Sequence, residues 1–127
     1  MIKFKVNNHE WCIQFIDHEN REFMDTACGF AEYIHNIIYI NDSMNDHQIL
    51  STLKHELAHA FRWSYGLATD VEPAKITNAE IEEAIANFTE SFSEQVVKLS
   101  YDLFEKIKKE KNGGASKESK RRIRKAE

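Results

Sequence analysis

Near the N-terminus hydrophobic and polar positions alternate, and further along the chain they recur at helical spacing. Residues 2–6 and 11–17 read as strands, because Trp11, Ile13 and Phe15 give one apolar face against the mixed face of Cys12, Gln14 and Ile16. Asn7-Asn8-His9-Glu10 has turn composition and predicts a hairpin. Residues 18–27 are polar and suit a loop or a short helix equally. Residues 30–34 and 37–41 read as two further strands joined at His35-Asn36, since Asn tolerates positive φ. The run Ile37-Ile38-Tyr39-Ile40 is β-branched and aromatic, the strongest strand signal in the chain.

The period then changes. Leu50, Leu53, Leu57, Ala60 and Phe61 predict a helix over 44–65, with Gly66 as its stop and Ser43 paired with Asp46 as a capping box at its start. Residues 67–77, which include Pro73, read as a loop. A second helix is predicted over 78–111, capped by Thr77 or Asn78, with the stripe Ile81, Ile85, Phe88, Phe92, Val96, Leu99 and Leu103. Asn112-Gly113-Gly114 should end it, leaving residues 112–127 as a basic, disordered tail. The expected organisation is one α+β domain over 1–111 followed by that tail, with no internal repeat.

Composition agrees with a globular domain: 42% of the 127 residues are hydrophobic and 30% charged. No apolar run approaches the roughly 18 residues of a membrane span. The N-terminus lacks the apolar stretch of a signal peptide, so the expected location is the cytoplasm, without membrane contact. Cys12 and Cys28 form no CxxC pair and read as small, partly buried apolar residues. The net charge of −4 conceals a division. Residues 111–127 hold seven basic and two acidic side chains, giving +5 and leaving −9 for the rest. Lys117–Lys125 offers a contact to nucleic acid or an acidic partner, but without interleaved aromatics a solubilising role is favoured.

Within the first helix lies His55-Glu56-Leu57-Ala58-His59, an H-E-x-x-H motif. Residues i and i+4 share a helix face, so two imidazoles can point at one zinc ion at about 2 Å each. With Leu53 at zero and about 100° per residue, the histidines fall near about 200° and 240°, while Leu50 and Leu57 fall near about 60° and 40°. The pair therefore stands apart from the leucine stripe, which a packed core histidine would not. Glu56 is placed to accept a proton from a water activated by the metal and to pass it to a leaving amine. A catalytic zinc needs a third protein ligand. Glu80, Glu82 and Glu83 on the second helix are the candidates, and Glu82, at the edge of the apolar stripe, is favoured by helical geometry. Asp70 and Glu72 in the loop are weaker candidates. His9, His18, His35 and His47 have no spacing that ties them to the motif, and no histidine follows His59.

The stretch from Thr52 to Phe61 resembles the active-site helix of the ImmA/IrrE family of metallopeptidases, found in prophages and other mobile elements. Glu82-Glu83-Ala84-Ile85-Ala86-Asn87-Phe88 resembles that family's second motif. Registered on Phe88, it puts Glu82 at the ligand position; registered on Ala86, it puts Glu83 there. The resemblance spans roughly residues 30–92. It implies a minimal zincin: a small, mostly antiparallel twisted sheet, an active-site helix and a glutamate-bearing helix. It also implies Zn²⁺ as cofactor, and an edge strand, Ile37–Asn41 or its hairpin partner, that pairs with extended substrate. The implied activity is hydrolysis of peptide bonds in a cytosolic protein, a repressor of a mobile element being the family's kind of target. The DNA-binding domain that many members carry is not evident. Tyr65, Arg62, Tyr33 and Tyr101 are oxyanion donors by residue type. The competing reading is a non-catalytic zincin scaffold that binds protein or nucleic acid, for which Glu56 would have no use.

Overall fold

The computed structural model describes residues 1–17, 28–67 and 77–126, with side chains described as far as residue 112. The expectations for 18–27 and for the loop around Pro73 lie outside the described residues.

β1 (Ile2–Val6) and β2 (His9–Ile16) form an antiparallel hairpin, with Ile2 opposite Ile13 and Val6 opposite His9. Its turn is only Asn7-Asn8, at φ 48° and 65°. Two left-handed residues in succession match the twist of the flanking strands, and Asn tolerates that conformation. His9 and Glu10 therefore belong to the strand and not to the turn. β3 (Gly29–Glu32) and β4 (Ile37–Asn41) make a second antiparallel pair. Their connection is four residues long, not two. The Glu32 carboxylate accepts hydrogen bonds from the Ile34 and His35 amides at 2.8 and 3.0 Å, which ends the strand early. β2 and β4 pair in parallel, so the order β1-β2-β4-β3 makes a mixed sheet with β3 outermost on one side.

Alternation buries one sheet face. Ile2, Phe4, Val6, Trp11, Ile13, Ile38 and Ile40 point to the core. α1 (Asp46–Ser64) lies on that face and contributes Ile49, Leu53, Leu57, Ala60 and Phe61. Its N-cap is Asn45, not Ser43. The Asn45 side chain accepts from the Gln48 amide while Gln48 accepts from the Asn45 amide, at 2.9 and 3.0 Å. Ser43 is instead engaged in a turn, its amide and hydroxyl both donating to Asn41 Oδ1. Gly66, at φ 69°, terminates the helix as expected, with the Leu67 amide reaching back to the Arg62 carbonyl at 2.8 Å. Asn7 and Trp11 tie this end to the first hairpin, donating to the Ser64 carbonyl and hydroxyl at 2.9 and 2.8 Å.

α2 (Asn78–Ala126) starts from a Thr77 cap whose hydroxyl accepts from the Glu80 amide, and its backbone continues through Gly113-Gly114, past the expected stop. Its buried stripe is also displaced from the expected one. Val96, Ser100, Leu103 and Ile107 are buried and Phe88 and Phe92 partly so, but Ile81 and Ile85 are 43% and 62% exposed. The apolar period runs on beyond the end of α1, where no described residue covers it. Among the described residues no helix is long and apolar enough to cross a membrane.

Candidate metal centre

α1 carries His55 and His59 on its outer side with their Nε2 atoms 3.3 Å apart and rings at 73°. Two nitrogens each about 2.05 Å from one tetrahedral ion stand about 3.3–3.4 Å apart. The separation matches two positions of such a centre, as it also matches an N–H···N hydrogen bond between the two rings. His55 is exposed and His59 half-buried, so the remaining positions open toward solvent.

Glu56 is turned differently. With Leu53 at zero, Thr52, Glu56 and Trp63 fall near about 260°, 300° and 280°, a single stripe along the helix beside the histidines. That stripe faces β3. Glu56 is only 6% exposed, and the Ala31 backbone amide lies near enough to favour its charged form. Burial pushes its pKa up, and the two histidines and that amide only partly pull it back. A carboxyl group with raised proton affinity beside two imidazoles is the arrangement a general base requires.

β3 supplies the opposite wall. A cleft of about 300 Å³ lies between strand and helix, lined by Cys28, Gly29, Ser51, Thr52, His55 and Glu56. The approach is close at Gly29: a Cβ there would stand 2.6 Å from the Tyr39 carbonyl and 2.7 Å from Thr52 Cγ2. In an antiparallel pair, alternate residues turn their backbone groups to the partner. Cys28 does so, accepting from the Asn41 amide at 3.0 Å. Gly29 and Ala31 consequently direct theirs to the edge that no other described strand pairs with, near Glu56. The edge strand beside the motif is thus the hairpin partner β3, whereas β4 is internal.

Glu82 and Glu83 are not brought to the histidines. α1 and α2 run antiparallel, since Phe61 and Tyr65 pack on Phe92 while Lys54 sits over Tyr101. These pairings put the residue level with His59 near Val96. Glu82 lies 14 residues earlier (96 − 82), about 21 Å along the axis. Both glutamates are exposed, and Glu80 is engaged with the Thr77 cap. Among the described residues no group of three His, Cys, Asp or Glu side chains could hold a metal ion. Asp70 and Glu72 are outside the described residues.

The other expected contributors separate. Tyr65 packs between Phe61 and Phe92, and Tyr101 lies under Lys54. Tyr33 stands at the end of β3, its pKa raised by burial and by the nearby Glu56 carboxylate, with Arg62 opposing. Sequence reasoning overlooked Gly29, Ala31 and Trp63. A glycine before an apolar strand was the available signal for the first, and the i, i+4 relation of His59 to Trp63 for the last. Comparison of the chain with protein-family models, curated proteins and solved structures finds no match.

Proposed function

We propose that the chain is a zinc-dependent metallopeptidase of zincin type, with His55 and His59 as metal ligands and Glu56 as general base. The observation that carries this reading is the 3.3 Å separation of the two Nε2 atoms next to a buried carboxyl group of raised proton affinity. A zinc ion there would supply Lewis acidity, making water acidic enough to attack near neutral pH and polarising the scissile carbonyl. Glu56 would take the proton of the attacking water and deliver it to the departing amine. Gly29 and Ala31 would hold an extended peptide along the edge of β3 by main-chain hydrogen bonds. A mixed sheet with a motif-bearing helix beneath its edge strand supports the zincin reading of the fold. Glu82, with Glu83 as alternative, enters as third ligand from the sequence, and the first turns of α2 would have to come about 20 Å closer to serve.

The substrate is a protein or peptide, and the resemblance makes a repressor of a mobile element the first to try. Zinc content by elemental analysis, measured beside hydrolysis of a quenched-fluorescent peptide mixture, tests the assignment. Glu56→Gln keeps its metal and loses hydrolysis by a factor of about 10² or more. His55→Ala and His59→Ala lose both. Loss of zinc in Glu82→Gln, but not Glu83→Gln, assigns the third ligand; retention in both passes that role to another group. Wild-type protein that holds no zinc, or Glu56→Gln that cleaves at the wild-type rate, contradicts the proposal. A non-catalytic scaffold has no use for the buried carboxylate, and nothing in the geometry favours it.

A further inference from the structure

Along the stripe of α1 that faces β3, one turn beyond His59, stands Trp63. It is 44% exposed. Its ring stacks on Tyr33 at 4.7 Å between centroids and 26° between planes. Tyr33, itself 37% exposed, meets the buried Trp11 edge-on at 6.4 Å. Trp11 in turn is fixed by its bond to Ser64. The two exposed rings are therefore held from behind by a buried ring and a satisfied hydrogen bond, and they form a rigid shelf.

The shelf continues the cleft. Gly29 touches Thr52 and lies near Glu56, the Ala31 amide meets Glu56, and Tyr33 meets Trp63. β3 and α1 thus run side by side in the same direction. From Gly29 to Tyr33 the strand advances about 13 Å, and from Thr52 to Trp63 the helix advances about 16 Å. The shelf stands about 6 Å beyond His59, the length of about two residues of extended peptide.

We infer that Tyr33 and Trp63 form a specificity subsite for a large apolar or aromatic side chain of an extended peptide, about two residues from the bond that is cut. The inference rests on the proposed peptidase activity and names its substrate class: unstructured or strand-like segments bearing Phe, Tyr, Trp or Leu next to the cleavage point. Offset stacking on exposed ring faces favours such a side chain, and the Glu56 and Arg62 charges that reach Tyr33 oppose each other there.

The test is a positional library of quenched-fluorescent octapeptides cleaved by the zinc-loaded protein. One position should prefer aromatic residues and Leu over Ala and Gly by about tenfold or more in kcat/KM. Trp63→Ala and Tyr33→Ala should flatten that preference with zinc content unchanged, and Trp63→Phe and Tyr33→Phe should keep most of it. Hydrolysis with no such preference, or with one that survives both alanine variants, overturns the inference and leaves the peptidase reading standing. Binding is measured separately, as anisotropy of labelled Phe- and Ala-bearing peptides with Glu56→Gln, whose affinity does not depend on turnover. Preferential binding of the Phe peptide without cleavage by the wild type sinks the peptidase reading and keeps the subsite. Equal binding of the two peptides sinks the subsite.

Discussion

Glu56 is a carboxyl group held in a partly dry place, and this has a cost in stability. A carboxyl group whose pKa in the folded chain exceeds the 4.5 of the unfolded one binds protons more tightly when folded. Its contribution favours folding at low pH and turns against it as pH rises through and beyond that value. Glu56→Gln should therefore melt higher than the wild type at pH 7 in chelator-treated protein, and the difference should shrink toward pH 4. A constant offset across that range would refute the assignment of the cost to ionisation. At this scale the sequence is legible where chemistry depends on local spacing. His55 and His59 share a face because four residues make slightly more than one turn. Gly29 and Ala31 escape such reading because their importance comes from what lies across from them, a helix more than 20 residues away in the chain.

At the level of elements, the closeness of β3 to α1 depends on Gly29. Adding one methyl places it within 2.7 Å of both the Tyr39 carbonyl and Thr52 Cγ2. Gly29→Ala should cost about 1–3 kcal/mol in urea unfolding and push β3 outward. In zinc-loaded protein it should lower kcat/KM while leaving metal content intact. A neutral effect on unfolding would mean that β3 is not seated as described. The strands and α1 were legible because each buries one face and alternation or helical period records it. The N-cap was not: Ser43 and Asn45 are both good caps, and the choice is made by Asn41, whose side chain claims Ser43 first. α2 shows the opposite difficulty. Its apolar period from Ile81 onward is genuine in sequence, yet burial begins only where α1 and the sheet are present to receive it.

On the scale of the whole molecule, one helix changes character along its length. The Val96–Ile107 stretch of α2 is locked into the core, and the turns before Phe88 overhang it. Hydrogen exchange should report this division. Amides of residues 96–107 should be protected to the limit of global unfolding, and those of 81–87 should exchange faster by about 10² or more. Equal protection would show that the overhang is covered in solution. The position of Glu82 and Glu83 on that overhang explains why a local wheel could rank them but not place them: distance along α2 from the histidines is fixed by helix pairing, which spacing within one helix does not encode.

The Ala31 amide has two claimants. It lies beside the Glu56 carboxylate, on the outermost described strand of the sheet. A peptide that pairs with the rim at Ala31 must take this donor for its own carbonyl. If the chain is the peptidase proposed above, the exchange would deprive the carboxylate of a group that favours its negative charge, and its affinity for a proton would rise. Occupancy of the rim would thus prime the base, and an empty rim would keep it restrained.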